Sequence, residues 1–147
     1  MKHSTLADMV CGRRVHKTSP DETVRNACII MTSANVGALP VMDDKGVLVG
    51  ILSERDVIQR SIIVYRPSAT TLVKQVMTPN PQWLPMDAKP AEAYQIMING
   101  KFRHLPVCSN GQVVGMVSIR DFNPQNNSIV DWLRGTSTKA NALARLF

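Results

Sequence analysis

The stretch Val49-Gly50-Ile51-Leu52-Ser53-Glu54-Arg55-Asp56 decides the fold of this chain, because it occurs twice. Its second copy, Val114-Gly115-Met116-Val117-Ser118-Ile119-Arg120-Asp121, lies 65 residues further along the chain. Upstream, Leu39-Pro40-Val41 recurs as Leu105-Pro106-Val107 at an offset of 66 residues. Motifs that recur in the same order at nearly the same spacing indicate two copies of one structural unit.

The first copy predicts the element order β-α-β-β-α. A strand at residues 15–18 precedes a helix that opens at Pro20, and the apolar residues of this helix follow the spacing of one helical face. Residues 38–42 and 47–52 predict a hairpin around a polar turn, and a second helix starts at Ser53.

The second copy predicts the same elements in the same order. They are a strand around residues 83–84, a helix over 89–99 that Gly100 ends, and a hairpin whose strands cover 104–108 and 113–117.

A unit of about sixty residues buries too little surface to offset its chain entropy. We therefore expect an α+β fold in which two pseudo-symmetric β-α-β-β-α repeats pack face to face. Each repeat would form a small mixed sheet with helices on one side. The predicted domains are repeat 1 over 1–66, repeat 2 over 67–127 and a helical C-terminal tail over 128–147, with a linker at 61–70.

Composition excludes several other classes of protein. The chain has 147 residues, 44% of them hydrophobic, which is too many for a disordered protein. No apolar run approaches the ~20 residues that span a bilayer, and the start of the chain lacks a secretory h-region. Three scattered cysteines argue against a disulfide framework and favour a cytoplasmic location. The net charge of +6 favours an anionic partner.

The duplicated motifs resemble a tandem pair of cystathionine-β-synthase (CBS) domains, often called a Bateman module, from about Thr5 to Phe122. The resemblance implies a non-enzymatic regulatory protein that binds adenosine-containing ligands in clefts between the repeats. AMP, ADP and ATP are the first candidates, with NAD(H) and S-adenosylmethionine as further ones. It also implies a homodimer formed through the helices, a regulated partner protein, and no required cofactor.

The Gly-x-x-Ser-x-x-Asp segment has a physical logic of its own. Gly50 and Gly115 let a ligand or another backbone approach the strand end, and free amides at the following helix start favour an anion. A carboxylate at Asp56 or Asp121 can accept ribose hydroxyls. The alternative is a helix-capping box, which uses the same Ser-x-x-Asp spacing. An arginine before each aspartate favours the nucleotide site, because it adds positive charge.

The resemblance assigns candidate ligand-binding residues to two clefts. For the first cleft they are Ile51, Ser53, Arg55, Asp56, Thr78, Gln82, Trp83, Arg103 and His104. For the second cleft they are Val15, His16, Gly37, Ala38, Met116, Ser118, Arg120 and Asp121. Where the second repeat offers Arg103-His104, the first offers Gly37-Ala38. We therefore expect extra cations in the Asp56 cleft alone, and tighter phosphate binding there.

Several alternatives stay open at this point. His104 could be a packed structural histidine, and Trp83 could stack on adenine or belong to the core. No catalytic residue and no metal site is predicted, because neither a nucleophile elbow nor a metal-ligand spacing occurs. The rival functions are a basic RNA-binding protein, which the few aromatic residues argue against, and an interaction scaffold with degenerate sites. Asn123-Pro124 should interrupt the helix that follows Asp121.

Overall fold

A computed structural model of the chain describes residues 4–122. It contains two three-stranded sheets, each with its own hydrophobic core, so the predicted α+β class is confirmed. The interruption at Asn123-Pro124 and the tail over 128–147 lie outside the described residues. No helix within the described range is long and apolar enough to cross a membrane.

Residues 4–62 contain four helical segments and two strands. They are α1 (Leu6–Val10), α2 (Val24–Ala34), β1 (Ala38–Met42), β2 (Leu48–Ser53), α3 (Glu54–Val57) and a π-helical turn at Ile58–Ile62 that continues α3. The hydroxyl of Thr23 accepts a hydrogen bond from the amide of Asn26, so α2 starts at Val24, four residues after the predicted start at Pro20. Asn35 ends α2 in a left-handed conformation.

The second half repeats this order. Its elements are α4 (Val73–Val76), β3 (Thr78–Pro79), β4 (Leu84–Pro85), α5 (Pro90–Gly100), β5 (His104–Ser109), β6 (Gln112–Ser118) and a 3₁₀ turn at Ile119–Phe122. The prediction that Gly100 ends α5 is wrong by one residue, because the left-handed cap is Lys101. The strand predicted at residues 15–18 is a single bridge between Thr18 and Val41.

The two sheets share one pairing pattern. Leu39 faces Leu52 in the antiparallel pair β1–β2, and Leu105 faces Val117 in the antiparallel pair β5–β6. The strand β4 runs parallel to β5, as the Thr18 bridge runs parallel to β1. Only β3, which extends the first sheet antiparallel to β2, has no counterpart among the described strands.

The helices α1 and α4 pack across the repeat boundary. Leu6, Met9 and Val10 of α1 are buried in the core of the second repeat, whereas Val73 and Val76 of α4 are buried in the core of the first. Neither helix was predicted from the sequence. Each core is therefore completed by a helix from the other half, which holds the two repeats together through apolar burial.

A third apolar cluster joins the two sheets. Met42 from β1 packs with Cys108 and Val113 from the second hairpin, and Val15 and Leu48 cover the edge. This cluster fixes the groove between the repeats in which the candidate site lies.

Candidate functional site

The groove between the repeats holds two cavities, each lined by residues of both halves. The first has a volume of about 520 Å³. Eight of the nine residues predicted for it line its wall, namely Ile51, Ser53, Arg55, Asp56, Thr78, Gln82, Arg103 and His104. Trp83 is not in the lining, and the residue is 52% exposed. Neither role considered for Trp83, adenine stacking or core packing, is therefore supported.

The second cavity is larger, at about 880 Å³. All of its predicted residues line it, namely Val15, His16, Gly37, Ala38, Met116, Ser118, Arg120 and Asp121. Its wall also contains Arg13 and Arg14, which the sequence analysis did not place there.

Asp56 is held rigidly at the wall of the first cavity, where only 7% of the residue is exposed. Its Oδ2 accepts hydrogen bonds from the Ser53 amide at 2.9 Å and the Ser53 hydroxyl at 3.0 Å. Its Oδ1 accepts one from the Thr78 hydroxyl at 3.2 Å and lies 3.8 Å from the Arg60 guanidinium. The capping box is therefore present, and it orients the carboxylate that a ligand would meet.

Asp121 has a different partner at the wall of the second cavity. Its Oδ2 accepts a hydrogen bond from the Ser118 amide at 2.8 Å, as in the first repeat. The Arg13 guanidinium then donates to both carboxylate oxygens, with nitrogen–oxygen distances of 3.0 Å and 3.0 Å. Oδ1 of Asp121 thus accepts from Arg13, whereas Oδ1 of Asp56 accepts from the hydroxyl of Thr78.

The prediction that the amides at the helix starts are free for an anion is wrong at the following positions. The Glu54 amide donates to the Gly37 carbonyl, and the Ile119 amide donates to the Arg103 carbonyl. The Asp56 and Arg120 amides donate to the hydroxyls of the two capping serines. Positive charge for a phosphate therefore has to come chiefly from side chains.

The prediction that only the Asp56 cavity has extra cations is also wrong. Arg103 lines both cavities, and Arg55 and Arg60 add charge to the first. The second cavity has in addition Arg13, Arg14 and Arg120. Arg60 follows Asp56 by four residues, a spacing that places two side chains on one helical face, so it could have been found from the sequence.

His104 separates the cavities and lines both. Burial lowers the pKa of His104 to about 4, assisted by the positive charges of Arg103 and Arg120 and opposed by Asp121. The ring is therefore neutral at pH 7 and adds no cation to either cavity. It lies against Gly37, where a β-carbon would stand 3.2 Å from its Cε1.

The motif glycines serve the packing of the repeats. A β-carbon at Gly50 would collide with the side chain of Met77, and one at Gly115 would collide with Val10. The sequence suggested that these glycines allow close approach of either a ligand or another part of the chain. In the structure, another part of the chain lies against each glycine. Within residues 4–122, no three His, Cys, Asp or Glu side chains are grouped closely enough to hold a metal ion.

The family model "CBS domain" matches residues 7–62 and 73–123. CBS domain-containing protein CBSCBSPB5 of Arabidopsis thaliana is 41% identical over 103 residues, which cover 69% of this chain and 19% of that protein. The chain thus spans about a fifth of that relative.

Two solved structures have the same fold. The CBS-domain containing protein ATU1752 of Agrobacterium tumefaciens is 30% identical with a TM-score of 0.74, and the match covers 82% of this chain and 91% of that one. CBSX2 in complex with AMP is 25% identical with a TM-score of 0.69, and the match covers 81% and 93%.

Proposed function

The chain belongs to the CBS-domain family as a tandem pair, and from this premise we propose that it is a non-enzymatic regulatory protein that binds adenine nucleotides between its repeats. The observation that carries the proposal is the first cavity, in which the buried carboxylate of Asp56 shares one wall with Arg55, Arg60 and Arg103. A carboxylate suits ribose hydroxyls, and guanidinium groups suit phosphates. The AMP complex of the related CBSX2 supports the same ligand class.

The capping box prepares Asp56 for this role. An ionised carboxylate has about four acceptor positions, and three of those on Asp56 accept from Ser53 and Thr78. A ribose hydroxyl would take the remaining position on Oδ1 or replace the hydroxyl of Thr78. Since the Ser53 bonds fix the carboxylate beforehand, binding need not order that side chain.

Arginines would supply the charge for the phosphates. The Arg60 guanidinium donates to the carbonyls of Val76 and Met77, which holds it at the cavity rim. Arg55 donates to the Lys101 carbonyl across the groove. Ile51, Pro81 and Phe102 give the same cavity apolar surface, which suits the faces of a purine. NAD(H) and S-adenosylmethionine share the adenosine part and remain further candidate ligands.

A ligand screen tests this proposal. Thermal unfolding would be followed with AMP, ADP, ATP, NAD(H), S-adenosylmethionine and a short RNA at two salt concentrations, for the wild type and the Asp56→Ala/Asp121→Ala double variant. We expect adenosine ligands to raise the Tm of the wild type only. The matched control is Asp44→Ala, which removes an exposed carboxylate from the hairpin turn. Stabilisation by RNA alone, falling steeply with salt, would favour the rival nucleic-acid function.

We further propose that the protein acts as a homodimer through its helices. An exposed apolar patch, defined as Ile58, Ile62, Ile63, Val64 and Tyr65, follows α3, and the Tyr65 side chain is 92% exposed. Exposed apolar surface of this kind favours association with another protein surface. Sedimentation velocity tests it: Ile62→Asp should give monomer, whereas Val47→Asp, at an exposed hairpin position, should not.

Regulation of a partner protein and a cytoplasmic location complete the proposal. Cys11, Cys28 and Cys108 are all free thiols, which suits a reducing compartment. Affinity capture from cytoplasmic extract with and without AMP tests the regulated partner, which should bind in one of the two conditions more strongly than in the other.

A further inference from the structure

The ion pair between Arg13 and Asp121 distinguishes the second cavity from the first. Its geometry is two-pronged, with both distances at 3.0 Å, and its side chains are 43% and 19% exposed. In the first cavity the corresponding carboxylate meets a neutral hydroxyl, and its nearest guanidinium lies 3.8 Å away. A paired guanidinium and carboxylate form the stronger of these two contacts.

We propose that Arg13 is a specificity-determining residue that makes the Asp121 cavity selective for nucleotides with several phosphates. This inference rests on the proposed function and adds to it a ligand preference for one cavity. In the structure, the Arg13 guanidinium donates to both oxygens of Asp121. At least three of the about four acceptor positions on Asp121 are therefore occupied, so a ribose that bonds through both of its hydroxyls has to displace the guanidinium from at least one oxygen.

The phosphate groups of the ligand decide whether this exchange is favourable. Adenosine has no group that can replace the carboxylate as a partner of Arg13, so the lost ion pair is not compensated. A triphosphate offers Arg13 an anionic partner in the same cavity, and guanidinium binds phosphate as well as carboxylate in two-pronged geometry. Affinity should therefore rise steeply from adenosine to ATP.

The surroundings of Arg13 allow its side chain to change partner while its backbone stays in place. The Arg13 amide donates to the Val10 carbonyl at 3.0 Å, which anchors the residue to the end of α1. The cavity wall contains Arg14, Arg103 and Arg120 as further cations against the acids Glu54 and Asp121. A polyphosphate in this cavity would therefore meet net positive charge before Arg13 moves.

The test uses calorimetry with adenosine, AMP, ADP and ATP on the Asp56→Asn variant, in which only the Asp121 cavity keeps its carboxylate. Adding Arg13→Gln should strengthen adenosine binding about fivefold, the upper worth of a partly exposed ion pair. It should weaken ATP binding about tenfold, because a charged hydrogen bond to phosphate is lost. Arg13→Lys keeps the positive charge but loses the planar, two-pronged donor group. Its affinities for adenosine and for ATP should lie between those of the protein with Arg13 and those of the Arg13→Gln variant.

Arg14→Gln is the matched control, because it removes one positive charge from the same wall. It should weaken ATP binding and leave adenosine binding no stronger. An equal change for all four ligands in Arg13→Gln would overturn the inference. If the wild type binds adenosine ligands but Asp56→Asn binds none, the inference fails and the proposed function stands. If the wild type binds none, both fail.

Discussion

Asp56 and Asp121 occupy equivalent positions in the two repeats, yet they accept hydrogen bonds from different groups across the groove. Thr78 donates to Asp56, and Arg13 donates to Asp121. At the position equivalent to Thr78 the first repeat has Gly12, which has no hydroxyl, and the following residue is Arg13. The capping serine and the carboxylate are thus the same in both repeats, whereas the segment that crosses the groove differs. The groups that meet each carboxylate are therefore set by the segment that faces the motif as well as by the motif itself.

The largest expected effect separates the two carboxylates. Asp56→Asn should weaken AMP binding about 100-fold, because a charged acceptor for the ribose is lost. Asp121→Asn should change AMP affinity less than about threefold, since an ion pair already occupies that carboxylate. Calorimetric titration of both variants measures the contrast. Equal losses would show that the clefts bind AMP alike.

The next effect concerns His104, whose equivalent in the first repeat is Ala38. Because the pKa of folded His104 is about 4, below its usual 6.5, the unfolded chain binds a proton between these pH values that the folded chain does not. Its contribution to stability is present above pH 6.5 and is lost as pH falls towards 4. We expect a loss of about 2 kcal/mol after allowing for partial exposure.

Urea unfolding of the wild type and His104→Gln at several values between pH 4.5 and 7.5 checks this expectation. The difference in free energy of unfolding between the two proteins should shrink as pH falls. A difference that stays constant with pH would mean that His104 titrates alike in the folded and unfolded chains.

A smaller effect compares the two motif glycines. Gly115→Ala should destabilise the protein by about 2 kcal/mol, because the new methyl group meets Val10, a β-branched side chain fixed in a core. Gly50→Ala should cost about 1 kcal/mol, since the side chain of Met77 can rotate away. Thermal unfolding measures the stability of the two variants. A larger loss for Gly50→Ala would show that α1 shifts to make room for the methyl group more easily than the Met77 side chain does.

The smallest effect is expected from a substitution that makes the first cleft resemble the second at one position. Thr78→Val keeps the shape of the side chain but removes the hydroxyl that donates to Asp56. We expect a loss of about 1 kcal/mol or less, because the Ser53 bonds to the carboxylate remain. Thr70→Val, at an exposed position, is the control for thermal unfolding. A loss much above that of the control would make Thr78 a main support of the cleft.

Much of the fold could be predicted from the sequence, because the repeat itself gives the hairpins and the longer helices. The strand over residues 38–42 was predicted with the bounds that the structure shows, since a buried apolar run ends there at a polar turn. The helices α1 and α4 were missed because they have only five and four residues, too few to give a helical period. Their burial depends on the opposite repeat, which local sequence cannot show.

The site was predicted well where it lies on the motif and less well around it. The carboxylates, serines and strand residues of both cavities were found because the repeat marks them. Arg13 and Arg14 were not predicted to lie in the site, because nothing in their local pattern indicates the distant Asp121. Trp83 was placed in the site from its position in the segment, but its side chain is outside the cavity lining. Only the fold determines which side of such a segment faces the groove.

The crossing of α1 and α4 also bears on how such a chain could have arisen. A single ancestral repeat would have lacked the helix that completes its core, and two identical copies exchanging that helix would have supplied it to each other. The present chain has the arrangement that such a domain-swapped dimer would have if its two copies were linked covalently. In a linked chain the two halves need not have the same sequence, so one half can have Arg13 where the other has Pro79. Covalent linkage of the repeats is thus what permits two unlike clefts in one molecule.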